Sequence, residues 1–132
     1  MSDDNAKLMN EAICNNKNID KAEEKFRNKV SKVTATSAFV VYGLLCSPIS
    51  LVQSRIYRGL ICFPFVLVAV SYYLSSQSGI CVCAYSGQSR INGKYMDIGD
   101  ENVVKKLVEK AKLIHMRVIF ITAMISILAC LP

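Results

Sequence analysis

VTATSAFVVYGLLCSPISLVQS, residues 33–54, and GLICFPFVLVAVSYYLSSQSGICVCAYSGQS, residues 59–89, carry no charged side chain, and only Arg55-Ile-Tyr-Arg58 separates them. The hydrocarbon core of a bilayer is about 30 Å thick, which an α-helix crosses in roughly 20 apolar residues. Each run supplies that length before a polar flank interrupts it. The pattern therefore predicts an antiparallel hairpin of two membrane helices with an arginine-tipped turn. A third, shorter apolar run extends from Val118 to Leu131.

The composition agrees with this reading. With 132 residues, 52% hydrophobic and 20% charged, and a mean hydropathy of +0.32, the chain is too apolar for an ordinary soluble domain and too short for several folding units. The expected architecture is an all-α integral membrane protein. Its parts are a polar and amphipathic segment over 1–33, the transmembrane hairpin over 34–75, a polar loop and helix over 76–112, and a C-terminal membrane helix over 113–132. The net charge of +6 comes from lysines and arginines bunched just outside the apolar spans, as the positive-inside rule produces. No basic stripe with interleaved aromatics occurs, so nucleic acid is not an expected partner.

Met1 to Asn18 does not read as a signal peptide: Asp3, Asp4 and Glu11 fall where an apolar core would be needed, and the first hydrophobic helix is expected to serve as an uncleaved signal. Of six cysteines, Cys46, Cys62 and Cys130 lie in apolar runs, where cysteine behaves as a small hydrophobe. Cys14, Cys81 and Cys83 remain, too few for a paired scaffold.

Ser2 can cap a short helix through Ile13 or Cys14, and Asn15-Asn-Lys-Asn18 breaks it, because short amide side chains compete with the helical backbone. Asp20 with Glu23 is a capping-box pattern. Ile19, Ala22, Phe26, Val30 and Val33 then recur at helical spacing, predicting an amphipathic helix whose apolar stripe lies on the membrane surface or against a partner helix. Lys21, Lys25, Arg27, Lys29 and Lys32 would spread over the rest of its surface.

The first span, about Thr34 to Val52, is diluted by hydroxyls and interrupted by Pro48. Gly43 and Ser47 form a small-xxx-small pair, predicting close backbone approach of the second helix there. In the second span, Tyr57 and Tyr72-Tyr73 are about 24 Å apart along a helix axis, near the spacing of two interfacial aromatic belts, and Pro64 should kink the helix between them. Gly43, Ser47, Pro48 and Pro64 are thus the candidate helix-packing positions.

Beyond the hairpin, Ile80 to Tyr85 and Arg90 to Ile98 are β-prone and flank Ser86-Gly-Gln-Ser89, predicting a small β-hairpin within 79–99, with Asn92-Gly93 as a competing turn. Asp100 should cap a helix through Val103, Leu107, Ala111 and Ile114 that continues into the third apolar run. Val118 to Leu131 covers about 21 Å as a helix, so a crossing needs Arg117 to snorkel or Leu113 to Met116 to enter the bilayer. The basic groups before the first and third spans belong on the cytoplasmic side, with two crossings between them.

Cys81-Val-Cys83 is the one motif with reactive potential. Beside a span, Cys81 and Cys83 are candidate lipidation sites, against the plainer reading of two small residues on one face of a strand. A metal site would need further ligands, and the one histidine, His115, is distant in sequence. His115 beside Arg117 reads as a pH-sensing group or, more simply, as an interfacial helix residue. Asp97, Asp100, Glu101 and Glu109 alternate with lysines, as on a solvated helix start. With no phosphate loop, activated serine or intramembrane acid, no catalytic, metal or cofactor-binding residue is expected, and no small-molecule substrate is evident.

The layout of polar N-terminal segment, tight two-helix hairpin and cytoplasmic segment is similar to that of inclusion-membrane proteins, which intracellular bacteria export into host vacuole membranes. This is a likeness of layout that carries no residue over. Three functional readings follow. The leading one is a non-enzymatic accessory or regulatory subunit of a complex in the cell's own (inner) membrane, whose partners are the lipid bilayer and other membrane subunits or a second copy. The others are a holin-like pore-former and an effector inserted into a host vacuole membrane.

Overall fold

The structure is a computed structural model and describes residues 3–47 and 54–130. Four α-helices dominate it: α1 (Asp3–Cys14), α2 (Lys21–Cys46), α3 (Arg55–Ser78) and α4 (Glu101–Cys130). Between α3 and α4 lie a 3-10 turn (Val82–Ser86) and a two-stranded antiparallel sheet of β1 (Gln88–Ile91) and β2 (Lys94–Asp97). Two helices, α3 and α4, are long and apolar enough to cross a membrane.

Several local signals act as the sequence predicts. Asp20 caps α2, its carboxylate accepting from the Glu23 backbone N–H at 2.8 Å. The Asp100 carboxylate accepts from the backbone N–H groups of Asn102 and Val103 at the start of α4. That helix runs unbroken through Arg117 into the third apolar run. Its continuity and that of α2 mean that the boundaries drawn at 33/34 and 112/113 fall inside helices. Ser2 and Pro48 lie outside the described residues.

The sheet settles the competition between turns. Asn92 and Gly93 both have positive φ, 50° and 76°, which is the type I′ geometry whose twist suits a two-residue hairpin. Gly93 adopts it at no steric cost, and Asn92 is among the residues that tolerate it. Ile80 to Tyr85 is consequently not the partner strand expected from its β-prone composition. Cys81 instead caps the 3-10 turn, and Gly87 closes it in the left-handed conformation.

The long helices run antiparallel in sequence order. Arg27 meets Ser75 and Ser31 meets the Ala69 carbonyl, so α2 and α3 run in opposite directions. Helix α3 packs against both α2 and α4. At the far end, Tyr42 Oη donates to the Ala129 carbonyl at 3.1 Å, joining α2 to α4. The start of α2, the end of α3 and the start of α4 therefore share one end of the bundle, where α1, the 3-10 turn and the sheet form a folded head. Of the chain's sixteen Lys and Arg residues, only Arg55 and Arg58 begin a helix at the opposite end.

Packing in the bundle is inside out relative to a soluble protein. Glu23, Arg27, Ser31 and Ala38 of α2, Gly59, Cys62, Ala69, Ser75 and Ser76 of α3, and Leu107, Ala111, Val118 and Thr122 of α4 are buried. Phe39 (79% exposed), Leu44 (66%), Ile56 (67%) and Phe120 (68%) face outward. Small side chains let backbones approach closely, the way helices associate when their surroundings are as apolar as leucine. Water, by contrast, would drive the large apolar groups inward.

The predicted contact through Gly43 is not where α2 meets α3. Gly43 is exposed, and a Cβ added there would meet nothing within 4 Å. The contact face of α2 follows Arg27, Ser31 and Ala38, and Gly43, five residues past Ala38, is turned from it by about 140° at 100° per residue. Ser47 is half-exposed and terminates α2 in an extended conformation, as expected of a residue preceding proline. Pro64 lies inside an unbroken α3 and points outward. Within the helix, the charge-free part of α2 from Val33 to Cys46 covers about 21 Å, and among the described residues the helices long and apolar enough to span are α3 and α4 and not α2.

Candidate functional site: a buried arginine and thiol cluster in the head

The head has a small apolar core of Ile80, Ala84, Ile98, Leu107 and Ala111, flanked by Ile13, Val103, Val104 and Ile114. Against it, at the junction with the bundle, lies a set of buried polar groups. Asn18 is its hub and is fully buried. Its side-chain N–H group donates to the carbonyls of Cys81 (3.2 Å) and Gln88 (3.1 Å) and to Cys83 Sγ (3.3 Å). Its side-chain oxygen accepts from the Cys81 backbone N–H at 2.6 Å. Its backbone reaches both the Gly79 carbonyl and the Arg90 N–H. Read from the sequence, Asn18 is a helix breaker. Tertiary contact makes it the residue that holds α2, the 3-10 turn and β1 together.

Arg27 is the second missed residue. The sequence places it on a solvated face, yet it is 7% exposed. Its guanidinium donates to Glu23 Oε1 (2.9 Å), Ser75 Oγ (2.7 Å) and Cys81 Sγ (3.1 Å), and lies 5.6 Å from the centroid of the Tyr72 ring. Arg90 reaches the same Glu23 oxygen at 3.4 Å and lies over the Tyr95 ring. Asp20 completes the set, capping α2 with one oxygen and accepting from the Asn92 N–H with the other. The signal available in the sequence was the spacing Glu23, Arg27, Ser31, which lies on the same helix face as Ala38.

Cys81 and Cys83 are both buried, at 4% and 9% exposure. Two donors reach Cys81 Sγ: Arg27 Nη2 and the Cys83 backbone N–H at 3.4 Å. The hydrogen bond from Cys83, together with the Arg27 charge, lowers the Cys81 thiol to about 5 against the opposing effect of burial. The same hydrogen bond, reinforced by burial, pushes Cys83 up. Burial alone would lower Arg27, but Cys81 and Glu23 outweigh it and raise it. The arrangement thus favours the anionic form at Cys81, beside the arginine, and the protonated form at Cys83.

A cleft of about 260 Å³ opens onto this cluster. Arg27, Ser75, Cys81 and Arg90 form its polar side, with Ile114, Val118 and His115 of α4 opposite. His115 is exposed, its ring edge-on to Tyr85 at 6.5 Å. Among the described residues no group of three or more His, Cys, Asp or Glu is arranged to hold a metal ion. The carboxylates Asp97, Asp100, Glu101 and Glu109 are exposed.

No protein-family model, curated protein or solved structure matches this chain.

Proposed function

We propose that this chain is a multi-pass membrane protein that acts through contacts rather than catalysis, as an accessory or regulatory subunit of a membrane complex. The observation that carries the reading is the inverted packing. Phe39, Leu44, Ile56 and Phe120 face outward while Ser31, Ala69 and Thr122 face inward, an arrangement that lipid tolerates and water does not. The lysines and arginines gathered at the head end support placing the head in the cytoplasm, with the start of α3, which carries Arg55 and Arg58, on the far side. In that arrangement α2, α3 and α4 cross in turn. The short apolar part of α2 is compensated by local thinning of the bilayer. The exposed apolar stripe with Phe26 and Val33 is the surface on which a neighbouring subunit or the bilayer interface would rest.

Two measurements test this reading. Extraction of membranes at alkaline pH should leave the protein in the pellet, and release into the supernatant would refute membrane integration. Solubilised in mild detergent at native expression, it should migrate as a stoichiometric complex with another membrane protein or with itself, and a lone monomer would remove the subunit reading. The thiolate and cleft give no specific support to a pore-former.

A further inference from the structure

We infer that Cys81 and Cys83 form a peroxide-reactive dithiol, with Cys81 as the attacking sulfur, Cys83 as the resolving sulfur and Arg27 as the residue that holds Cys81 anionic. The geometry carries the assignment. Two donors reach Cys81 Sγ: Arg27 Nη2 at 3.1 Å and the Cys83 backbone N–H at 3.4 Å. A sulfur that accepts from a guanidinium and a backbone N–H is in a site suited to an anion. Cys83 Sγ in turn accepts from Asn18 Nδ2 at 3.3 Å. Both sulfurs sit at the start of the 3-10 turn, and Cys81 lines the cleft of about 260 Å³, wide enough for a hydroperoxide. The low Cys81 pKa agrees with this geometry.

The chemistry closes with hydrogen peroxide as the oxidant. The Cys81 thiolate attacks one peroxide oxygen, forming an S–O bond as the O–O bond breaks, and the departing hydroxide takes a solvent proton to become water. Cys81 is now a sulfenic acid, oxidised by two electrons, and the peroxide is reduced. Cys83 then attacks the Cys81 sulfur; an S–S bond forms, the S–O bond breaks, and the Cys83 proton leaves with the hydroxide as a second water. The product lacks the anion that faces Arg27. Arg27 is left with Ser75 and with Glu23, which it shares with Arg90, so oxidation loosens the tie between α2 and the turn. A cysteine pair of this kind on a cytoplasmic head would be a transient, sensing disulfide rather than a structural one.

The test uses the full chain in detergent micelles with dilute hydrogen peroxide, read by peptide mass spectrometry. The expected result is a disulfide between Cys81 and Cys83 that forms before the exposed Cys14 and Cys46 are oxidised. In a Cys83→Ser variant, the sulfenic-acid trap dimedone should add at Cys81. Arg27→Gln should slow the reaction about tenfold or more, through loss of thiolate. If Arg27→Gln fails to fold, Arg27→Lys, which keeps the charge with fewer donors, should react at a rate between wild type and Cys81→Ser. Prior oxidation of Cys14 or Cys46, dimedone on Cys83 alone in Cys81→Ser at the wild-type rate, or an acyl group already on Cys81 in protein isolated from cells would each overturn the proposal.

Discussion

Arg27 and Cys81, 54 residues apart in the chain, meet at 3.1 Å inside the head. The contact ties α2 to the segment that follows α3, and with Ser75 it closes the end of the hairpin. Because Arg27 and its partner Glu23 are both almost fully buried, removing the arginine leaves Cys81 without its cation and Glu23 with only the longer contact to Arg90. Arg27→Ala should destabilise the protein by on the order of 3 kcal/mol or more, seen as a lowered thermal midpoint in detergent. A loss under about 1 kcal/mol would mean that water reaches the cluster freely.

Stability should depend on pH through Cys81. Its folded-state thiol titrates at about 5, below its usual value of 9.0, so the ionised form is favoured by folding. Its contribution is fully present above pH 9.0 and is lost as the pH falls through about 5. Thermal midpoints of the wild type minus those of Cys81→Ser should therefore shrink steadily on acidification across that window. A difference independent of pH would show that Cys81 is a neutral thiol.

Asn18→Ala should unfold the head before the bundle. The substitution leaves the Cys81 N–H and the carbonyls of Cys81 and Gln88 without their partner in a site with no exposure, a loss of about 3 kcal/mol. Hydrogen exchange should accelerate over residues 79–91 while α3 stays protected. Uniform acceleration along the chain would mean that head and bundle unfold as one unit.

The two faces of α2 give opposite predictions. Gly43→Leu meets open space and should leave the α2–α3 contact intact. Ala69→Leu, on the buried face of α3 whose carbonyl accepts from Ser31, should force the helices apart at a cost of about 1–3 kcal/mol. Disulfide trapping between cysteines engineered on α2 and α3, in a background without Cys46 and Cys62, reads both. Equal yields in the two variants would place the contact elsewhere.

Gly79 ends α3 at φ 69° with the Lys17 side chain lying over it. Gly79→Ala should cost about 1–2 kcal/mol from backbone strain, because the lysine can move aside while the left-handed conformation cannot change. Gly43→Ala provides the comparison, since Gly43 lies in an ordinary helix, and there the change to alanine should be neutral or slightly stabilising in thermal unfolding.

What the sequence determined by itself was local or periodic. Asp20 and Asp100 start helices because a short carboxylate can reach backbone N–H groups two or three residues away. The long apolar runs fix α3 and α4 because an uncharged helix of that length is legible in composition alone. Asn92-Gly93 is legible as a turn, and Ser86–Ser89 competes with it in the sequence alone. Tertiary structure decided which face of each helix turns inward, since serine, alanine and glycine at several positions of α2 satisfy the same spacing and only the neighbouring helix selects among them. It also decided the fate of Asn18, Arg27 and Cys81. Their long-range side-chain partners are 48 to 70 residues away, and a buried polar group is stabilised by donors and acceptors that folding brings to it, which no reading along the chain can place.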